Sequence, residues 1–227
     1  HLIGSLAREQ TVTAYLQLLG YGLAGRHAAA VARQACGIFA RQPRLLFAGD
    51  VDPLLAAIVH ALSDDELNDR CTPLRPAFGD LAHVALAERH LAAGRHENAR
   101  RLVADIRFLS PARPRAALVM AAIELDRQHL DQADDWIAEV EDPGASLRLR
   151  CRLAQARGDR SGYRALLAEL HAAEPTDADA FVQLVLATLQ DGDVAGAQQL
   201  CAAADEALRA EPQVAEVIAQ VAGLRAR

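Results

Sequence analysis

Apolar residues return along this chain with the period of an α-helix. Before a turn at Gly94 they stand at Leu81, Val84 and Leu91, and after it at Ala99, Leu102, Val103 and Ile106. Intervals of three, four and seven put each set on one helical face, so the stretch reads as two amphipathic helices joined by a short turn. The same phrase recurs. It is LLGYGLAGRHAAAVARQA around Gly25, ALAERHLAAGRHENARRLV around Gly94, AAIELDRQHLDQADDWI around Gln128, RLAQARGDRSGYRALL around Gly158 and LVLATLQDGDVAGAQQL around Gly192. Each copy is an apolar helical stretch, a turn with Gly or a polar residue, and a second helical stretch that opens on a small residue.

The turns at Gly94, Gln128, Gly158 and Gly192 succeed one another at intervals of 30 to 34 residues, and the distance from Gly25 to Gly94 leaves room for one more copy. A period near 34 residues is the mark of a helical-hairpin repeat. Prolines punctuate it at Pro43, Pro111, Pro143, Pro175 and Pro212, where one helix ends and the next can start. The segment Val51 to Pro76 matches only loosely. There Ser63-Asp64-Asp65-Glu66 reads as a helix start with a capping acid, and Pro73 and Pro76 interrupt the helix it opens, which predicts a longer loop. A single hairpin of two helices cannot hide both apolar faces, so each is expected to pack on its neighbour. The predicted fold is all-α, a single repeat domain over residues 1–227. Its hairpins are predicted near 8–43, 51–78, 80–111, 114–143, 145–175 and 178–211. A final helix over 212–225, with Val214, Val217, Ile218 and Val221 on one face, is expected to cap the last apolar surface.

The pattern resembles the tetratricopeptide repeat (TPR) family over nearly the whole chain. In the copy from Asp80 to Pro111, Leu86 and Ala87 match the family's paired large and small packing residues. His90 takes its aromatic site, Gly94 its turn glycine, Ala99 the small residue of the second helix and Pro111 the terminal proline. Tyr21, Gly25, Ala30 and Pro43 repeat that set in the first copy, and Phe181, Leu184, Gly192 and Ala197 match in the Gly192 copy. The Gln128 copy departs in having no turn glycine, and the Gly158 copy in carrying Tyr163 where a small residue is usual. The resemblance implies a right-handed superhelical stack of antiparallel helix pairs, an α-solenoid whose first helices line a concave groove.

By that resemblance the partner-binding positions are Tyr15, Leu19, Val84, Glu88, Leu91, Leu118, Ala122, Leu125, Arg148, Arg152, Val182 and Leu186. They are mostly apolar. Members of the family that grip the terminal carboxylate of heat-shock chaperones need Lys, Asn and Arg at such sites, because a carboxylate demands cations and amide donors. This groove lacks that set. It suits an amphipathic helix or an apolar extended segment instead, which points to a protein–protein interaction module of the chaperone or adaptor kind, bacterial and cytoplasmic. The alternatives are a scaffold or self-assembling homodimeric subunit of a secretion or envelope complex, and the regulatory domain of a longer protein. Arg148 and Arg152 lie one helical turn apart and could meet an acidic ligand group, although Asp159 and Glu169 nearby favour a salt-bridged surface.

Composition narrows the chemistry. The 227 residues are 52% hydrophobic and 24% charged, with a formal net charge of −6, which fits a chain able to bury a core. No lysine occurs, so Walker-type phosphate loops and Schiff-base chemistry are excluded. Nine aromatic residues and an acidic balance offer neither a stacking platform nor a field for nucleic acid. No apolar run is long enough for a membrane span. Cys36, Cys71, Cys151 and Cys201 lie far apart without a C-x-x-C, which suggests a reducing compartment, and Cys151 and Cys201, on apolar helical stretches, read as buried small hydrophobes. His83 and His90, seven residues apart on one helix, are too distant for one zinc ion, while His27, His96 and His129 recur after their turns as repeat punctuation. No serine has a nucleophile-elbow context, and Asp191-Gly192-Asp193 lacks the remainder of a calcium loop. Neither an enzyme nor a cofactor or metal is expected.

Overall fold

The computed structural model describes residues 17–42, 52–71, 77–110 and 112–224, and every regular element among them is a helix. In chain order these are α1 (17–23), α2 (Ala28–Arg41), α3 (Asp52–Ala61), α4 (Asp64–Cys71), α5 (Ala77–Ala92), α6 (His96–Ala104) and α7 (Arg113–Asp126). They continue with α8 (Leu130–Ile137), α9 (Pro143–Arg157), α10 (Arg160–Ala173), α11 (Ala178–Gln190), α12 (Val194–Ala203), α13 (Glu206–Arg209) and α14 (Pro212–Ala222). Pro143 and Pro212 are the first residues of α9 and α14, where the missing N–H costs nothing. Pro43, Pro73, Pro76 and Pro111 lie outside the described residues. The chain divides into two compact units, His1–Val119 and Met120–Arg227, with the boundary inside α7.

In the first unit neighbouring hairpins pack like against like: α3 lies on α5 and α2 on α4, with α2 also against α3 and α4 against α5. Their buried faces meet in one cluster that includes Leu19, Leu23, Ala32, Cys36, Phe39, Ile58, Leu67, Cys71 and Ala82. Phe39 and Ile58 are wholly enclosed. In the loosely matching segment only Leu62 and Ser63 separate α3 from α4, and the longer loop predicted where Pro73 and Pro76 interrupt the chain lies outside the described residues. Ser63 and Glu66 explain the sharp start: the Ser63 hydroxyl accepts from the Glu66 N–H at 3.4 Å while the Glu66 carboxylate accepts from the Ser63 N–H at 3.3 Å. Behind α5, the buried Ser110 hydroxyl donates to the buried Asp80 carboxylate at 2.8 Å.

Four hairpin turns share one backbone device. At Gly94, Gly158 and Gly192 φ is +70°, +72° and +83°, and the non-glycine residue at the equivalent place, Gln128, has φ +62°. In each the next N–H reaches back into the last turn of the preceding helix in a closing bond: Arg95 to His90 at 2.8 Å, His129 to Glu124 at 2.8 Å, Asp159 to Ala154 at 2.9 Å and Asp193 to Thr188 at 3.1 Å. That left-handed residue with its back-reaching bond satisfies carbonyls the helix end would otherwise orphan. Gly25, placed in the same role by sequence, sits in the α1–α2 turn but outside the left-handed region.

In the second unit the helices after most turns begin on aspartates. The carboxylates of Asp142, Asp159, Asp177, Asp193 and Asp205 accept from the N–H three residues on, at 2.7 to 3.1 Å. Helix α9 packs on α8 and α10, and α11 on α10 and α12. Val214, Val217 and Val221 of α14 are buried against a cluster with Phe181, Val185, Ala197 and Cys201, so α14 closes over α11 and α12. Among the described residues no helix is long and apolar enough to cross a membrane.

Candidate binding cleft

A cleft of about 590 Å³ opens in the first unit between α3, α5 and Arg115 of α7. Its apolar wall comes from Leu55 and Val59, four residues apart on α3, and Leu81 and Ala85, four apart on α5. That spacing puts each pair on one face of its helix. The polar side is built by Glu88, Arg89, His60 and Arg115. Arg89 is committed to the fold: its guanidinium donates to the Val59 carbonyl at 2.6 Å, the Leu62 carbonyl at 3.0 Å and the Asp64 carboxylate at 2.9 Å. It thereby caps the C-terminus of α3 and ties it to the start of α4. Arg115 clamps Glu88 through contacts of 2.6, 2.9 and 3.2 Å, a fork geometry in which both side chains stay partly exposed at the rim. The cleft therefore has an oily floor and a rim whose charges are already paired.

A second hollow of about 270 Å³ lies in the second unit and includes Arg148, Cys151, Arg152, Tyr163, Asp177 and Gln183. Arg148 pairs with Glu174 and with Asp177 at 2.8 Å, and these partners raise its pKa above the usual guanidinium value. Burial pushes the Asp177 carboxyl up, but the Ala180 N–H and the Arg148 guanidinium outweigh it and hold the group below its ordinary value. Arg152 binds Asp126 at 2.8 Å. The Tyr163 hydroxyl donates to Gln183 at 2.9 Å, and burial, with Cys151 beside it, raises the phenol pKa. Burial, with Glu169 behind it, lifts the Cys151 thiol to about 11. This hollow is small and its cations are occupied.

The twelve sequence-derived binding positions fall into distinct environments. Tyr15 lies outside the described residues. Leu19 (8% exposed), Val84 (0%), Ala122 (6%) and Leu125 (4%) are buried, and none of them lines the cleft of the first unit. Leu91, Leu118 and Val182 are half-buried, and Leu186 is 40% exposed. Glu88 stands in the cleft of the first unit, and Arg148 and Arg152 share the hollow of the second. The arginines bond to Glu174, Asp177 and Asp126, not to Asp159 or Glu169; Asp159 instead caps α10 through Gly162.

Leu81, singled out by periodicity, does line the cleft, whereas Leu55, Val59, Ala85, Arg89 and Arg115 carried no signal strong enough to find them. Residues 82–87 of α5 are all buried, so this helix is apolar nearly all round and its period does not reveal which side faces out. Leu55 and Val59 sit in the loosely matching copy, where no alignment with the other hairpins could place them.

Among the described residues no group of three or more His, Cys, Asp or Glu side chains is placed to hold a metal ion. His27 and His129 stand immediately before α2 and α8, and His129 also pairs through Nδ1 with the buried Glu124 at 2.8 Å. Searches against protein-family models, curated proteins and solved structures found no match to this chain.

Proposed function

We propose that the protein is a helical-repeat interaction module that takes an amphipathic helical segment of a partner protein into the cleft between α3 and α5. The observation that carries this reading is the apolar wall of Leu55, Val59, Leu81 and Ala85 beside a rim where Glu88 and Arg115 neutralise each other. A rim without unpaired charge favours apolar anchors over a charged terminus or a phosphate. Each aliphatic side chain buried there contributes roughly 1.5–3 kcal/mol before association costs, so a few anchors support affinity on the order of micromolar. The TPR-like solenoid belongs to the same proposal. It is supported by the recurring left-handed turns at 30 to 34 residues and by the stacking of α3 on α5 and of α2 on α4 within the first unit. A role as adaptor or chaperone follows from such a cleft, with binding rather than catalysis as its work.

The test uses exposed alanines on the cleft lining. Ala56 and Ala92 both line it and both are exposed, so Ala56→Arg or Ala92→Arg fills the space without opening the core. A displayed library of amphipathic peptides is selected on the full chain, and the winners are measured by titration calorimetry against each variant. Both variants are expected to weaken binding at least about tenfold, while Leu186→Arg in the second unit leaves it unchanged. Winners that ignore both cleft substitutions, or a selection that enriches nothing amphipathic, would overturn the reading.

A further inference from the structure

Two thiols that sequence places 35 residues apart meet inside the first unit. Cys36 lies on α2 and Cys71 is the last residue of α4; their sulfurs are 3.8 Å apart, and the residues are 3% and 0% exposed. Both are free. A disulfide needs an S–S separation near 2.05 Å, and the remaining gap is of the size that small side-chain rotations close. The two residues occupy corresponding places on the second helices of consecutive hairpins, and α2 packs directly on α4.

We propose that Cys36 and Cys71 form a redox-convertible pair, closed to an intramolecular disulfide by a low-molecular-weight disulfide of the oxidised-glutathione class. Cys36 gives up its proton and attacks one sulfur of the small disulfide, expelling one thiolate and leaving a mixed disulfide on Cys36. Cys71 then gives up its proton and attacks the Cys36 sulfur, expelling the second thiolate. Two protein thiols and one small disulfide become one protein disulfide and two small thiols, so electrons and protons balance.

The order of attack follows from the surroundings. Cys36 is the less enclosed of the two, 3% exposed against 0% for Cys71, and the neighbouring thiol together with the positive charge of Arg70 lowers its pKa against the cost of burial. Access comes through α4, which has only eight residues, is polar along Asn68, Asp69 and Arg70, and is too short to hold without its neighbours. The new bond would join two hairpins around a loop of about 35 residues and restrict the unfolded chain.

The full chain is incubated with oxidised glutathione, and thiols are counted in denaturant alongside non-reducing peptide mapping. Four thiols are expected to fall to two, with the bond mapped to Cys36 and Cys71, and the thermal midpoint to rise by about 5–15 °C. Cys151 and Cys201, on α9 and α12, serve as internal controls and should stay reduced. Cys71→Ser should stop at a mixed disulfide on Cys36. Should that variant not fold, the wild-type mapping decides alone. Retention of all four thiols, or a bond mapped to any other pair, would overturn the proposal.

Discussion

The four left-handed turns allow a substitution experiment in which packing contributes nothing. A β-carbon built at Gly94, Gly158 or Gly192 meets no atom within 4 Å, so replacement by alanine changes only the backbone energy of a residue held at φ between +70° and +83°. That conformation costs an L-residue about 1–2 kcal/mol. The lost freedom of the unfolded glycine returns about 0.4–1 kcal/mol. Each Gly→Ala change should therefore destabilise by about 1 kcal/mol. Gln128 already bears the cost at φ +62°, so Gln128→Gly should be neutral or stabilise by up to about 1 kcal/mol, against the usual penalty for introducing glycine. Urea unfolding at constant slope measures all four. Far-UV circular dichroism follows Gly94→Ala in the first unit. Trp136, the single tryptophan, lies on α8 and reports the second unit, where the other three changes fall. If the three alanine variants are as stable as wild type or more so, the left-handed turns do not govern these hairpins and the reasoning fails.

Acid should loosen the first unit through Glu66, which the Arg33 guanidinium and the Ser63 N–H hold down to about 2 from an ordinary 4.5. A carboxyl lowered on folding contributes its stability fully above its unfolded pKa and loses it as pH falls through the folded one. The loss attributable to Glu66 should thus run from about pH 4.5 to 2 and shrink in Arg33→Met to the part that Ser63 supports, read as the difference between their pH-dependent urea midpoints. Asp193→Ala removes the acceptor for the Gly196 N–H and should cost about 1 kcal/mol, with tryptophan fluorescence reporting an earlier midpoint. Phe181→Ala empties a site only 1% exposed, beside the His171 ring and under α14, and should cost about 3–5 kcal/mol in the same titration. An unchanged midpoint would mean that α14 does not close over this side chain.

The features legible in the chain in advance were the local ones. Helical period, turn spacing, the Ser63–Glu66 cap and the apolar face of α14 all depend on residues a few positions apart, and the structure has each where those residues put it. Gln128 takes its left-handed turn without a glycine, its side-chain amide donating to the Leu125 carbonyl at 3.4 Å and the next N–H to Glu124 at 2.8 Å, so local bonds override residue preference there. The side of α5 that faces the cleft was not legible: Val84 and Ala85 are both apolar, both buried, and differ only in the neighbour each meets. The meeting of Cys36 and Cys71 did leave a trace, since their separation of 35 residues is close to the spacing of the turns and so falls at a similar place on the second helices of consecutive hairpins. Arg115–Glu88, Arg152–Asp126 and Arg148–Glu174 leave a similar trace, at separations of 27, 26 and 26. Each pair is exposed enough to contribute little singly, which is why composition gives them no weight.

Those bridges have a consequence for synthesis. Each arginine finds its carboxylate within 23 to 33 residues, as Arg157–Asp134 and Arg33–Glu66 also do. A hairpin leaving the ribosome can thus dock on the one before it without waiting for distant parts of the chain. Contacts of such short reach favour rapid folding in the direction of translation.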